Sequence, residues 1–340
     1  MSPTPHGAGG LESADAAPAT FSVIICAFTF NRWEQLCAAV DSVERQSMPA
    51  LETIVVIDSN PELERRAAAQ FTSAAVVANT HRSGLSGARQ TGVDRARGSV
   101  LTFLDDDALA DHDWLEQLHA VYADPLVLGV GGLIDPEWER PPPAWFPLEF
   151  NWVVGCSYAG LPTTRARVRN PIGANMSIRT SVVARTGAFD PRLGREQHAA
   201  GYTGTAEETE FAIRASQIFP GRYWIYEPRA RVRHAVPADR LRWSYFVRRC
   251  VVEGSSKALL RDLAGPGDGL RSERAYTRSV LPRAVVRELI RGLRGQPGGF
   301  AQAGGIVAGF GLTAGSFART RLLRTFRPSR VARARTKPRH

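Results

Sequence analysis

The chain has 340 residues, with 43 lysines and arginines against 33 acidic side chains, and a formal net charge of +10. This charge is unevenly distributed: residues 1–239 carry a net charge of −7, residues 240–294 carry +8, and residues 319–340 carry +9. The distribution excludes a protein that is basic over its whole surface, as a nucleic-acid coat would be. The hydrophobic content of 44% is typical of a globular protein.

Composition divides the chain into four predicted segments. Residues 1–20 are rich in Ala, Gly, Pro and Ser, which predicts a disordered lead-in. Residues 21–239 form the acidic body, and residues 240–318 form a basic extension with helical patterning. Residues 319–340 contain nine basic side chains and no acid, which predicts a disordered arginine-rich tail.

One stretch of the extension, residues 300–318, has no charged side chain. Its length is close to the ~20 residues that a membrane-spanning helix needs. Gly305 with Gly309, and Gly311 with Gly315, follow the spacing of small residues seen where membrane helices pack. Two interpretations stay open: a helix buried against the protein, and a helix that enters the membrane.

The acidic body alternates predicted strands with predicted helices. Apolar runs predict strands at 21–27, 51–57, 74–78 and 99–104, and helical spacing predicts helices at 32–45 and 84–97. Such alternation is typical of an α/β fold with a parallel, doubly wound sheet. Because ligands bind beyond the carboxyl ends of parallel strands, the pattern directs attention to 27–29, Asp58 and 105–107.

Three consecutive aspartates, Asp105, Asp106 and Asp107, follow the fourth predicted strand. Adjacent carboxylates at a strand end repel one another unless a cation neutralises them. Mg²⁺ and Mn²⁺ prefer oxygen ligands and are commonly held by one or two carboxylates together with substrate phosphates. The sequence therefore predicts a divalent metal site here, with an aspartate-rich turn or helix cap as the alternative.

Six segments in order resemble the successive motifs of family 2 glycosyltransferases. They are SVIICAFTFNR (22–32), IVVIDSN (54–60), GLSGARQTG (84–92), VLTFLDDDA (100–108), GANMSIR (173–179) and EETEF (207–211). The resemblance spans roughly residues 21–235 and implies the GT-A fold. In that fold a Rossmann-like, mostly parallel sheet carries helices on both faces. Here the basic helical extension would follow it.

The resemblance also implies where the nucleotide-sugar donor binds. Asp58 would contact the base, and because a carboxylate accepts the imide N–H of uracil, a UDP-sugar is the expected donor. Ala27 and Thr29 would lie against the nucleoside. Arg89 would face the donor and neutralise phosphate or acidic groups, with a solvated helix arginine as the alternative reading.

The same resemblance assigns the aspartates and a histidine to the metal and donor. Asp105 and Asp107 correspond to the metal-binding Asp-x-Asp element, and Asp107 is expected to be the direct ligand. Asp106 would contact the ribose or the sugar. His234, which ends ARVRH (230–234), would lie beside the diphosphate or the metal, although a lone histidine is more often structural. The expected metal is Mn²⁺ or Mg²⁺.

The remaining implied residues concern the sugar, the acceptor and the chemistry. Asn175 would offer hydrogen-bond donors and acceptors to the sugar, or else belong to an ordinary strand. Glu208 would be the general base that deprotonates the acceptor hydroxyl, with Glu207 as the reserve candidate. A structural reading competes, because Thr205 and Glu208 also fit the capping-box spacing.

The predicted function is an inverting, metal-dependent hexosyl transfer from a nucleotide-diphosphate sugar to a hydroxyl of a lipid-linked or cell-envelope glycan. GGLIDPEW (131–138), PAWFP (143–147) and RRCVVEGSSKA (248–258) resemble family members that transfer glucuronosyl or related units to polyprenyl-phosphate-linked sugars. The basic end predicts attachment to the anionic inner face of the cell membrane. A nucleotidyltransferase and a polyanion-binding protein acting through the arginine-rich tail are the alternatives.

Overall fold

The computed structural model describes residues 18–187, 189, 196–198, 201–203, 206–264 and 271–325. The predicted disordered lead-in lies outside these residues except for 18–20. The predicted arginine-rich tail lies outside them except for 319–325.

A curved mixed sheet forms the centre of the acidic body, and nine of its strands belong to the described residues. Along the main path the strand order is β3-β2-β1-β4-β8-β6-β11-β5, and β7 pairs with β11. A separate hairpin joins β9 and β10. The strands are β1 (Phe21–Ala27), β2 (Glu52–Ile57), β3 (Ala75–Ala78), β4 (Val100–Asp105), β5 (Ala108–Ala110), β6 (Val127–Trp138), β7 (Ala166–Val168), β8 (Asn175–Arg179), β9 (Glu196–His198), β10 (Gly201–Thr203) and β11 (Tyr223–Val236).

Helices follow most of the strands, and a helical region closes the chain. The helices are α1 (Trp33–Glu44), α2 (Pro61–Gln70), α3 (Leu85–Arg95), α4 (Trp114–Tyr122), α5 (Thr180–Thr186), α6 (Glu207–Ile218), α7 (Trp243–Ala264), α8 (Arg271–Ala275), α9 (Leu281–Leu293) and α10 (Gly299–Thr325). Short 3₁₀ turns lie at Phe30–Arg32, Leu148–Val154 and Ala238–Leu241, and a π-helical turn lies at Tyr276–Val280.

The first four strands are parallel, as the alternation of strands and helices predicts. β1 pairs in parallel with β2 and with β4, and β2 pairs in parallel with β3. β8 then enters antiparallel between β4 and β6, while β6 and β11 are parallel. The predicted α/β class with a mostly parallel sheet is thereby confirmed.

The sheet is buried on both faces. Alternate side chains of β1 point to opposite sides, so Val23 and Ile25 join one apolar cluster and Ile24 joins the other. Helices α1 and α4 pack on the first face, through side chains such as Leu36 and Leu118. Because both faces are covered, the strands have continuous apolar runs, and these runs made them recognisable in the sequence.

The C-terminal helices pack against the acidic body and against each other. A Cβ atom at Gly254 of α7 would collide with the Thr313 carbonyl of α10, so the two helices approach closely there. Gly309 of α10 lies against the rings of Phe150 and Phe246. The Gly305/Gly309 pair therefore serves packing within the protein.

This packing bears on the two interpretations of residues 300–318. The segment belongs to α10, and its buried residues include Ala303 and Ile306. Within the described part of the chain, we find no helix with both the length and the apolarity needed to cross a membrane.

Candidate active site

The carboxyl ends of β1, β2 and β4 meet at one edge of the sheet. Ala27 ends β1 and stands opposite Ile57 of β2, while Cys26 stands opposite Asp105 of β4. The side chains that follow these strands, among them Asp58, are therefore brought together by the parallel topology.

Asp58 lies in a dense network of hydrogen bonds. Its Oδ1 accepts from the Asn79 amide at 2.7 Å and from the Ser59 hydroxyl at 3.1 Å. Its Oδ2 accepts from the Gly84 backbone N–H at 2.7 Å and from the Ser83 hydroxyl at 3.0 Å. The carboxylate thus ties the end of β2 to the start of α3, and a base contact would require one of these donors to move.

The other two predicted nucleoside contacts lie at the end of β1. Ala27 is buried, and its carbonyl accepts from the backbone N–H of Asp58 at 2.8 Å. The Thr29 hydroxyl accepts from the backbone N–H of Asn31 at 3.2 Å and caps the short 3₁₀ turn. Arg32 ends this turn and contacts Asp106 and Asp107. Thr29 therefore has a structural function whether or not it contacts a ligand.

Asp105, Asp107 and His234 form a cluster that could hold a metal ion. Each offers one ligand atom, and these atoms all lie within 4.8 Å of one another. His234 Nε2 lies 3.2 Å from Asp107 Oδ1, and its Nδ1 faces the Cys156 sulfur at 3.8 Å. Two carboxylates and one imidazole suit a divalent ion such as Mn²⁺. The donor set therefore fits the predicted metal.

Asp107 is a buried carboxylate surrounded by basic groups. Arg32 Nη1 lies 3.2 Å and Arg240 Nη2 lies 3.4 Å from Asp107 Oδ2. Burial alone would raise the pKa of Asp107, but His234 and the two guanidinium groups hold that pKa well below its usual range. Asp107 is therefore ionised at neutral pH, as a metal ligand must be.

Asp106 points away from the cluster. It is 4% exposed, and its Oδ1 accepts from Arg32 at 2.7 Å. Burial raises the pKa of Asp106 to about 7, against the opposing effect of Arg32. The predicted contact between Asp106 and the donor ribose or sugar has no support in this orientation, since the side chain is directed toward Arg32.

Arg89 is a fully buried guanidinium that contacts both glutamates of α6. Its Nη1 lies 2.7 Å from Glu207 Oε1 and 3.4 Å from Glu208 Oε1, and its Nη2 lies 3.7 Å from Asp105 Oδ1. Burial opposes its charge, but Glu207 and Glu208 raise the pKa of Arg89. The alternative of a solvated helix arginine is wrong, because the side chain is 2% exposed.

The two candidate bases have different surroundings. Glu207 is 2% exposed and also accepts from the Ser86 hydroxyl, so its carboxylate is committed to partners inside the protein. The Glu208 side chain is 20% exposed, and its distance to the Arg89 guanidinium is the longer of the two, at 3.4 Å. Its carboxylate lies so close to Gly173 that a Cβ atom there would collide with it. The geometry favours Glu208 as the accessible acid.

The capping-box reading of Glu208 can be compared with the start of α6. The helix begins at Glu207, and the residue in the N-cap position is Ala206, which has no side-chain hydrogen bond of its own. Thr205 lies outside the described residues. Glu208 is therefore the second residue of the helix, and a capping box would need a glutamate at the third.

Asn175 is a structural residue of the sheet. It is fully buried, its Oδ1 accepts from the Trp114 indole at 2.9 Å, and its Nδ2 donates to the carbonyls of Leu133 and Ala230 at 3.0 and 2.9 Å. All the groups that were expected to contact the sugar are used inside the protein. The alternative of an ordinary strand residue agrees with this geometry.

Arg32 and Arg240 are the site residues that sequence reasoning missed. Arg32 stands at the end of the first recognised motif, where its position could have marked it. Arg240 follows β11 in a 3₁₀ turn, 133 residues from Asp107 in the chain, and no local pattern connects the two. Because of these two guanidinium groups, the cluster of Asp105, Asp107 and His234 is surrounded by positive as well as negative side chains.

A cavity of about 1350 Å³ opens beside these residues. Its lining includes Asp105, Glu208 and His234, and also Tyr276 and Phe317 of the C-terminal region. The predicted nucleoside contacts do not line it, so its lining joins the candidate base Glu208 to the C-terminal helices. Its volume exceeds the ~300–1,000 Å³ of a typical small-molecule site.

Comparison with known proteins identifies the family of the chain. Residues 22–187 match the family described as Glycosyl transferase family 2. A Haloferax volcanii protein named glucosyl-dolichyl phosphate glucuronosyltransferase is 32% identical over 274 residues, which cover 79% of this chain and 85% of that protein. Mouse polypeptide N-acetylgalactosaminyltransferase 15 is 28% identical over 232 residues, and the match spans only 34% of its length.

A solved structure has the same architecture. The mannosyltransferase PcManGT from Pyrobaculum calidifontis, in complex with GDP-Man and Mn²⁺, superposes with a TM-score of 0.54 at 20% identity. The match covers 92% of this chain and 88% of that one. Fold and sequence together define a glycosyltransferase with GT-A architecture. The chain belongs to glycosyl transferase family 2.

Proposed function

We propose that this enzyme transfers a sugar, with inversion, from a nucleotide-diphosphate donor to a hydroxyl of a polyprenyl-phosphate-linked glycan. The observation that carries the proposal is the position of Glu208. Its carboxylate is accessible, lines the cavity and shares Arg89 with Asp105 of the metal cluster. An acid in this position can take a proton from an acceptor hydroxyl next to the leaving diphosphate.

The metal site in this proposal consists of Asp105, Asp107 and His234. A bound Mn²⁺ or Mg²⁺ would supply Lewis-acid stabilisation of the departing diphosphate. Asp107 remains ionised because His234, Arg32 and Arg240 stabilise its charge. Arg240 also lines the cavity and offers a guanidinium to the negative charge that develops there.

Glu208 acts as the base, and Glu207 supports it. Arg89 is fixed by its 2.7 Å pair with Glu207 and stands 3.4 Å from Glu208, so it positions that carboxylate in the lining of the cavity. The attacking oxygen would displace the diphosphate in one step, which inverts the anomeric carbon. Glu207 is the positioning residue in this scheme.

The donor in this proposal is a UDP-sugar, a preference that rests on Asp58. The Ser59 hydroxyl makes the longest of the four Asp58 hydrogen bonds, at 3.1 Å, and is exposed. It is the donor most easily replaced by a uracil N–H. A screen of nucleotide sugars for thermal stabilisation in the presence of Mn²⁺ would identify the base, because bound ligand raises the apparent stability.

The acceptor class is supported by the Haloferax relative, whose name describes transfer of glucuronate to glucosyl-dolichyl phosphate. The cavity is consistent with a second large substrate, since it continues from Glu208 to Tyr276 and Phe317. Such an acceptor is anchored in a membrane, and we place the enzyme at the inner face of the cell membrane. Neither the nucleotidyltransferase alternative nor polyanion binding accounts for the family membership.

The test is a transfer assay with Glu208→Gln and a matched control, Glu210→Gln. Glu210 lies on the same helix but pairs with Arg214 at 2.8 Å, away from the cavity. Loss of a general base should lower kcat by about 10²–10⁴-fold while the donor still binds. Glu210→Gln should retain nearly full activity. Equal activity of both variants would remove Glu208 from the mechanism.

A further inference from the structure

The helix α9 carries its apolar side chains on the side that faces away from the protein. Val286, Leu289, Ile290 and Leu293 are 55%, 40%, 42% and 79% exposed. Their spacing places them on one face of the helix. We call these four residues the exposed stripe. A helix of a soluble domain usually turns such a stripe toward the core, so this orientation requires an explanation.

The opposite face of α9 holds the helix on the protein. Leu281 and Ala284 are buried, and Glu288 is 1% exposed. Glu288 accepts from Arg287 at 2.8 Å and from Arg291 at 2.7 Å. Because a buried, doubly paired acid and apolar contacts fix the inner face, the helix cannot rotate to bury its stripe without breaking these pairs.

A further aromatic side chain extends the exposed stripe. The ring of Phe300, 57% exposed, lies against Gly292, where an added Cβ would come within 2.8 Å of it. Phe300 begins the uncharged part of α10. Val307, about two helical turns later on the same face, is 59% exposed. The apolar surface therefore runs across two helices, and a contiguous surface of this kind marks an interaction site.

The charge around this surface indicates the type of partner. Between residues 274 and 325 the only acidic side chain is Glu288, which is buried and paired. Arg283 and Arg294 are exposed at the two ends of α9, and the Arg287 side chain is 52% exposed. Apolar side chains with flanking arginines and no exposed acid are typical of helices that lie in the interface of an anionic bilayer.

We propose that the exposed stripe and Phe300 dock the protein on an anionic lipid surface, with α9 lying in the plane of the interface. The arginines would reach the headgroups while the stripe enters the acyl boundary. Leu281, the first residue of the same helix, and Val280 directly before it line the cavity. The inference deepens the proposed function, because it would place the cavity beside the membrane that holds the acceptor.

The test measures binding of the full-length protein to vesicles of phosphatidylcholine, with and without phosphatidylglycerol. The variant carries Ile290→Asp and Leu293→Asp. The matched control carries Leu51→Asp and Leu126→Asp, two leucines with 50% and 47% exposure in the acidic body. Thermal unfolding of all three proteins confirms that each is folded.

We expect the wild type to bind the phosphatidylglycerol vesicles, and the stripe variant to bind them about tenfold or more weakly. The control should bind like the wild type. Since salt screens charges and not apolar insertion, the difference between the variants should persist in high salt. Equal binding by the stripe variant would overturn the proposal, as would a wild type that binds neither vesicle.

A second copy of the chain is the competing occupant of the stripe. If the stripe variant converts a dimer into a monomer without changing vesicle binding, the surface is a dimer interface and the proposal is wrong. The vesicle assay needs no donor and no turnover. Glu208→Gln should therefore bind vesicles normally while losing transfer, which separates failure of the docking from failure of the proposed function.

Discussion

The acidic body buries charged side chains at its site, whereas the C-terminal helices expose apolar side chains at their surface. At the edge of the sheet, Arg89, Asp107 and Glu207 are all less than 7% exposed. On α9, by contrast, leucine and isoleucine side chains are exposed and the arginines surround them. Burying ionised groups costs free energy that apolar packing would not. The acidic body therefore loses stability at its site, where charges are buried. The C-terminal helices lose it at their surface, where apolar side chains are exposed.

This difference indicates which region is suited to chemistry and which is suited to binding a partner. Buried, paired charges beside a cavity are suited to chemistry, because fixed charges act strongly where water is excluded. Exposed apolar side chains are suited to a partner that covers them. Substitutions in each region should therefore affect different properties of the protein.

Among the substitutions that follow, replacement of Asp107 by Asn should have the largest effect. The change retains the shape of the side chain but removes the charge that faces His234, and we expect kcat/KM to fall by about 10²–10³-fold. Affinity for Mn²⁺, followed by the electron paramagnetic resonance signal of the free ion, should fall in parallel.

Asp106→Asn is the matched control for this substitution. Asp106 contacts Arg32 and not the ligand cluster, so Mn²⁺ affinity should be nearly unchanged in this variant. If Asp106→Asn abolished Mn²⁺ binding and Asp107→Asn did not, the assignment of the metal ligands would be reversed.

Glu273→Gln should lower stability in a way that depends on pH. Burial opposes its ionisation, yet Lys257 at 2.6 Å and the Arg169 guanidinium lower the pKa of Glu273 to about 2. The folded pKa lies below the unfolded one, so the ionised group stabilises the protein above the unfolded pKa of about 4.5. This contribution is lost as pH falls from about 4.5 toward 2.

The measurement is thermal unfolding of wild type and Glu273→Gln at neutral pH and near pH 3. At neutral pH the variant should be less stable by roughly 1–3 kcal/mol. Near pH 3 the difference should shrink by about half. A gap that stays constant over this range would show that the carboxylate charge does not stabilise the helices.

Gly254→Ala should separate α7 from α10. The added Cβ would collide with the Thr313 carbonyl, and relief of that collision should cost about 1–3 kcal/mol of unfolding free energy. Gly311→Ala on α10 is the matched control, because its Cβ meets open space. It should raise stability by about 0.5–1 kcal/mol through helix propensity. Chemical denaturation should show that the unfolding free energy falls in Gly254→Ala and rises in Gly311→Ala. Changes in the same direction would contradict the close packing of α7 on α10.

Much of the acidic body could be predicted from the sequence because its signals are local. Buried parallel strands such as Phe21–Ala27 are continuous apolar runs, and Asp105 to Asp107 directly follow one of them. The sequence could not show which aspartates lie in the candidate ligand cluster with His234. Asp106 turns toward Arg32 because of the 3₁₀ turn at Phe30–Arg32, which lies 74 residues away.

The C-terminal region was less predictable because its meaning depends on tertiary contacts. The absence of charge in 300–318 drew attention to that segment. Two of its glycines serve packing inside the protein: Gly305 lies against the Trp145 carbonyl, and Gly309 lies against the rings of Phe150 and Phe246. In the sequence, the apolar residues of α9 alternate with arginines, and this pattern predicts an ordinary amphipathic helix. The orientation is visible in the tertiary structure, where Glu288 is buried on the inner face and the stripe is exposed.

A single displacement with Glu208 as the base inverts the anomeric carbon, so the anomeric configuration of the product distinguishes this mechanism from retention. The enzyme, an α-linked nucleotide sugar chosen by thermal shift, Mn²⁺ and a polyprenyl-phosphate-linked glucose would be incubated, and the new linkage determined by NMR. We predict a β-linked product, formed by the wild type and not by Glu208→Gln. An α-linked product, or equal yield from the variant, would contradict the account.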